Sequence, residues 1–261
     1  MDPNARSVTP FESSIPGNSS PAIITEGLCR RYGRRWALID VSLTIPRGAA
    51  VMIAGRNGSG KSTLLRILAT AIRPDRGSGT IDGFDLVADK EDVRKRIALL
   101  GHHPNTYEPL SAIQNLEVAA RFLGQSVERA LLLDVLDQVG LADRADDPVL
   151  TFSAGMRKRI SLARALLQVE HGSNGTGSVS VVLLDEPYGQ LDPQGFRFVD
   201  RLVRTFKRRE VTVLIATHEL ERSAALCELG IVLAEGRLVW SGPASDLPAE
   251  GGMTAGSDEV E

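Results

Sequence analysis

Gly55-Arg56-Asn57-Gly58-Ser59-Gly60-Lys61-Ser62 decides the reading of this chain. The stretch fits G-x-x-x-x-G-K-[ST], with an apolar run over residues 49–54 before it and the helix-forming Thr63-Leu64-Leu65-Arg66-Ile67-Leu68 after it. Strand, glycine-rich loop and helix in that order give the pattern its meaning. Glycines let the backbone curl until successive N–H groups converge on a phosphate. Lys61 brings a positive charge to the β- and γ-phosphates, and the Ser62 hydroxyl is a candidate Mg²⁺ ligand. The start of the following helix faces the same phosphates. The stretch predicts a nucleoside triphosphate site.

Working outward, residues 22–25 and 37–45 pattern as strands, and residues 49–54 as a buried strand feeding the loop. Gly77-Ser78-Gly79 and Asp82-Gly83 bracket a short strand, and another is expected over residues 97–100. From Pro109 to Gln168 the spacing turns helical: Leu116, Ala119, Ala120 and Leu123, then Ala130, Leu133, Leu136 and Val139, recur at three and four residues. Ser153 fits the N-cap of a helix carrying Ile160, Ala163, Leu166 and Leu167. Residues 171–178 are expected to be a flexible surface loop. Continuous apolar runs at 179–184 and 211–216, separated by a helix over about residues 194–209, make a β-α-β unit of a parallel sheet. A hairpin turning at Glu235-Gly236 joins residues 231–233 to 238–240. A helical block between the phosphate loop and the later strands implies an inserted helical subdomain. Residues 1–21, rich in Ser and Pro, and the acidic, Gly-rich residues 248–261 are expected to be disordered tails.

Composition narrows the function. With 43% hydrophobic and 24% charged residues the chain fits an ordinary globular protein. A net charge of −3 gives no general case for nucleic acid, and none is expected as a partner. The short clusters Arg30-Arg31, Arg34-Arg35 and Arg157-Lys158-Arg159 fit solvated faces or the lips of a nucleotide site. Isolated Cys29 and Cys227 point to a reducing compartment, and the four histidines show no zinc-ligand spacing. No apolar stretch approaches about 18 residues, and the N-terminus does not resemble a secretory signal.

Further candidates follow from strand ends. Val181-Val182-Leu183-Leu184 runs into Asp185-Glu186, where open α/β sheets bind ligands. Asp185 can orient Mg²⁺ opposite the phosphate loop, and Glu186 can polarise an attacking water. Thr151-Phe152-Ser153-Ala154-Gly155-Met156 offers a hydroxyl and backbone N–H groups at a helix start as a second anion site. Leu214-Ile215-Ala216-Thr217 leads into His218 at the same sheet edge, suited to a γ-phosphate oxygen or the attacking water. Tyr32 is a candidate for stacking on adenine, with Trp36 the other aromatic nearby.

Taken in order, Tyr32, the phosphate loop, His103-Pro104, FSAGM at 152–156, VVLLDEP at 181–187, GQLD at 189–192 and THE at 217–219 resemble the ATP-binding domain of ABC transporters over about residues 23–247. The resemblance implies an α/β fold: a P-loop NTPase core of mainly parallel sheet, an antiparallel β subdomain, and a helical subdomain at about residues 105–170 within a domain spanning 22–247. It implies ATP and Mg²⁺ as ligands. It also implies a homodimer, or a dimer with a similar ATPase, closing head to tail so that ATP lies between Lys61 of one copy and Ser153 and Gly155 of the other. Glu186 and His218 would be catalytic with Lys61, Ser62 and Asp185 would hold the metal, and Thr63 would touch the α- or β-phosphate. Gly55, Arg56, Asn57, Gly58, Ser59 and Gly60 would wrap the nucleotide, and Asp192 would sit in the loop crossing the interface.

The sequence departs from the family pattern in three places. Phe152, Ala154 and Met156 replace residues of L-S-G-G-Q, and Gly189-Gln190 replace the usual Ser-Ala. His103 stands where a Gln Mg²⁺ ligand is usual, so activity is expected to fall at acidic pH and to lose part of that fall in His103→Gln, as a pH–rate profile would show. Gly101-His102-His103-Pro104 and the residues after it resemble the haem exporter ATPase of cytochrome c maturation; a general efflux ATPase is the competing reading. Separate membrane subunits would dock at residues 105–121, leaving the chain cytoplasmic and peripheral on the membrane's cytoplasmic face. A soluble ABC-type ATPase acting on ribosomes or DNA, and a non-hydrolysing nucleotide-binding regulator, are the alternatives from other classes.

Overall fold

A computed structural model describes residues 20–102, 105–122, 124, 128–171 and 179–248. The expectations for residues 1–19, for 172–178, for 249–261 and for His103 lie outside the described residues.

Among the described residues, ten strands form two sheets. The smaller has the order β2-β1-β4-β5, from β1 (Ile23–Tyr32), β2 (Arg35–Ile45), β4 (Arg76–Ile81) and β5 (Phe84–Asp85), with each neighbouring pair antiparallel. The larger has the order β10-β9-β3-β8-β7-β6, from β3 (Ala50–Ala54), β6 (Ile97–Leu100), β7 (Val181–Asp185), β8 (Thr212–Ala216), β9 (Leu229–Ala234) and β10 (Arg237–Pro243). Its neighbours are parallel except at the β9–β10 hairpin. Sequence places the first strand at 22–25. It runs to Tyr32 because irregularities after Thr25 and Leu28 restart its pairing with β2.

Every residue of β3, β7 and β8 is buried, which accounts for their uninterrupted apolar runs. Their period of two splits them between two cores. Ala50, Met52, Val182, Leu184, Val213 and Ile215 pack in one core with the helices α3 (Ala112–Phe122), α4 (Arg129–Gln138), α5 (Ala154–His171) and α6 (Pro193–Arg208). Val51, Ile53, Val181, Leu183 and Leu214 pack in the other with α1 (Lys61–Leu68) and the antiparallel sheet. Helices α3, α4 and α5 fall in the stretch expected to be helical. Two short helices, α2 (Lys90–Arg96) and α7 (Leu220–Ala224), went unforeseen because each is under two turns and too brief for periodicity to show. Among the described residues no helix is long and apolar enough to cross a membrane.

Parallel pairing brings the carboxyl ends of β3, β6, β7 and β8 to one edge. The phosphate loop leaves β3 there, Gly101 and His102 follow β6, Asp185 ends β7, and Thr217-His218 follow β8.

Candidate nucleotide site

Gly55, Gly58 and Gly60 take φ of 140°, 81° and 110°, the left-handed side of the map that suits glycine. Close packing adds a second demand. A Cβ on Gly55 would lie 2.2 Å from Leu233 O, and one on Gly60 2.5 Å from Ala37 O. The β9–β10 turn supports the loop from below, where Gly236 N–H donates to Ser59 O at 3.0 Å. Sequence foresaw that hairpin and not this role for it.

The Lys61 ammonium is held inside the loop, donating to Gly55 O at 2.6 Å and to Arg56 O at 3.4 Å. Burial pulls its pKa below the ordinary lysine value, against the opposing fields of Glu186 and Asp185. Ser62 Oγ donates to Asp185 Oδ1 at 2.9 Å, joining positions 123 residues apart. Beside them Glu186 takes φ +49°, rare for a residue with a Cβ. Its Oε2 lies 2.9 Å from His218 Nδ1, yet that contact is poorly aligned and Oε2 is buried without a well-formed hydrogen bond.

A cleft of about 580 Å³ opens over the loop, lined by residues 57–63 and by Tyr32, Trp36, His102 and Glu186. Arg30 lies 5.1 Å from the Tyr32 ring centroid and Arg31 5.5 Å from that of Trp36, so each aromatic has a cationic neighbour. Sequence favoured Tyr32, and the structure brings Tyr32 and Trp36 to the same cleft. The sequence also gave weight to His103, which lies outside the described residues; among those described, the histidine lining the cleft is His102.

Ser153, Gly155 and Asp192 do not line this cleft. Ser153 Oγ accepts from Met156 N–H at 3.2 Å, the expected N-cap of α5. Asp192 caps α6, accepting from Gly195 N–H at 2.6 Å and pairing with Arg159 at 3.0 Å. The Gly195 bond, then the Arg159 charge, hold its carboxyl below the usual range.

Sequence reasoning missed Lys158. Its side chain is 2% exposed, with Nζ 3.3 Å from Gly101 O and 3.5 Å from Asp185 O. Burial lowers its pKa to about 8, against the raising fields of Asp185 and Glu186. A signal was available, since Lys158, Leu162, Ala165 and Val169 share the helical stripe that α5 buries.

The residues fit a Mg-nucleotide. Ser59 Oγ and Glu186 Oε2 are buried polar atoms at the cleft that make no well-formed hydrogen bond among the described residues. The paired oxygens of Ser62 and Asp185 are hard ligands of the kind Mg²⁺ takes together with phosphate oxygens. Among the described residues no group of three or more His, Cys, Asp or Glu is placed to hold a metal without such help.

The ABC transporter family model matches residues 38–189. The chain belongs to the ABC transporter family. It is an ATP-binding subunit and an ATPase of that family. It is 38% identical to the daunorubicin resistance ATP-binding protein DrrA3 of Streptomyces coeruleorubidus, over 88% of this chain and 71% of that one. It is 34% identical to the doxorubicin resistance ATP-binding protein DrrA of Mycobacterium tuberculosis, over 91% of this chain and 70% of that one. A dimeric bacterial ABC transporter cassette superposes with a TM-score of 0.75 at 26% identity, covering 85% of this chain and 98% of the other. The fold is that of an ABC cassette, as the sequence predicts. The haem-exporter resemblance finds no support among these relatives, two of which are drug-resistance ATP-binding proteins. Its short segment, residues 101–116, is too small a part of the chain to outweigh similarity along most of its length.

Proposed function

We propose that this chain hydrolyses ATP to drive efflux of a drug-like small molecule through separate membrane subunits, as one of two head-to-tail ATPase copies. The observation that carries the hydrolytic part is the convergence of Lys61, Ser62, Asp185, Glu186 and His218 at one sheet edge. Similarity to resistance ATPases supports the efflux part.

In this reading Lys61 leaves the loop carbonyls for the β/γ-phosphates, and the N–H groups of residues 58–63 cradle the same oxygens. Mg²⁺, held through Ser62 and Asp185, would neutralise charge on the β- and γ-phosphates. Glu186 Oε2 accepts a proton from water as the water oxygen bonds to the γ-phosphorus and the P–O bond to ADP breaks, giving ADP and phosphate. His218 orients that water or the γ-phosphate. Tyr32 or Trp36 stacks on the adenine. Ser153, Gly155 and Asp192 do not line the cleft of their own subunit, which suits a role at the ATP of a second copy. Residues 105–121 are the proposed dock for the membrane subunits, and peripheral attachment to the membrane would follow.

Glu186→Gln tests the chemistry. Steady ATP turnover should fall by at least about a hundredfold while ATP binding persists and ATP drives dimer formation; unchanged turnover would remove Glu186 from its role. Purification from gently solubilised native membranes tests the transport. Multi-span proteins recovered in stoichiometric amounts support it, and recovery with ribosomes or nucleic acid overturns it.

A further inference from the structure

The peptide joining Asp185 to Glu186 is gripped from two sides. Its N–H, on Glu186, donates to Ala216 O of β8 at 2.8 Å. Its carbonyl oxygen, on Asp185, faces the buried Lys158 ammonium at 3.5 Å. That same ammonium lies 3.3 Å from Gly101 O, just past the end of β6. The grip falls where the backbone is strained, because Glu186 takes φ +49°. The plane of this peptide sets the direction in which the Glu186 side chain leaves the strand.

A buried ammonium is costly and is tolerated where partners hold it. Along the stripe formed with Leu162, Ala165 and Val169, an apolar side chain would fill the space without that cost. Further down α5 the same anchoring recurs, with Arg164 donating to Asn105 O at 2.7 Å and Gln168 to Ile97 O at 2.8 Å. Those contacts tie α5 to the β6 edge. Lys158 alone among these three also reaches the β7 end.

We propose that Lys158 is the positioning residue for Glu186, holding the Asp185–Glu186 peptide by its carbonyl and fixing it relative to Gly101 and to α5. The helix that begins at Ser153 would then be joined mechanically to the end of β7. The inference rests on Glu186 acting in hydrolysis.

The test compares wild type, Lys158→Met, Lys158→Arg and Glu186→Gln as full chains, with Leu162→Ala as a destabilised control from the same buried stripe. ATP affinity is read from intrinsic tryptophan fluorescence without Mg²⁺, and kcat and KM from steady-state turnover below every variant's melting temperature. Lys158→Met should lower kcat by about tenfold or more with ATP affinity and KM within about threefold, and Lys158→Arg should recover most of the loss. Leu162→Ala should melt earlier with kcat nearly intact. The proposal is overturned if Lys158→Met keeps wild-type kcat, or if its loss of kcat is matched by Leu162→Ala at equal destabilisation. If Lys158→Met does not fold, Lys158→Gln carries the same comparison. Retained turnover in Glu186→Gln would instead overturn the role of Glu186 itself.

Discussion

At Gly155 the missing side chain serves packing inside the subunit as well as any contact across a dimer. A Cβ there would lie 2.8 Å from Gln190 O, in the loop that precedes Asp192. Gln190 takes φ +67°, so that loop has little freedom to yield. Gly155→Ala should therefore destabilise the isolated chain by about 1–3 kcal/mol, measurable by urea unfolding without nucleotide. An unchanged midpoint would show that glycine is needed there only for a partner's ATP. Gly55→Ala is a harsher case, combining φ 140° with a 2.2 Å approach to Leu233 O. Its expected outcome is a folded chain whose ATP affinity drops by about tenfold or more, as a fluorescence titration would show.

At the element scale, the start of α5 combines two functions that one substitution can separate. Ser153 caps the helix through Met156 N–H. Ser153→Ala should cost about 1 kcal/mol of stability. Ser153→Asp keeps a good cap and complements the helix dipole, yet adds negative charge where a partner's phosphate is proposed to sit. Stability should hold in Ser153→Asp while ATP-driven dimerisation in a Glu186→Gln background is lost, as size-exclusion chromatography would report. Dimerisation that survives the added charge would count against the head-to-tail arrangement. At this scale the sequence was most informative for elements with a sustained period. The helices α5 and α6 and the strands β3, β7 and β8 are long or uniform enough for their patterns to show. It was least informative for β1, whose irregular pairing with β2 disguises a ten-residue strand, and for the brief α2 and α7.

For the whole molecule, the larger sheet separates two cores, and the helical core reaches as far as Cys227. Burial pushes the Cys227 thiol up to about 12. The folded pKa lies above the unfolded one, so the stability this thiol contributes is full below the unfolded value of 9.0 and is lost as pH rises from there towards about 12. In the native chain at pH 8, iodoacetamide should label Cys29 ahead of Cys227, which should react fully only after denaturation; peptide mass spectrometry would read the order. Equal rates would mean that this side of the core opens readily.

Local spacing determined what local forces control. The glycines of residues 55–60, the apolar runs of the parallel strands and the Ser153 cap each act within a few residues, so they are visible in the chain itself. Their order along the chain was enough to indicate the family. Only the tertiary structure decided which distant groups meet. Ser62 finds Asp185 across 123 positions because β3 and β7 flank β8 in the sheet. Lys158 enters the site because α5 buries the stripe on which it lies, turning a residue that resembled part of a solvated basic cluster into a buried ammonium between two strand ends. Those pairings depend on packing between elements, which a local sequence pattern does not encode.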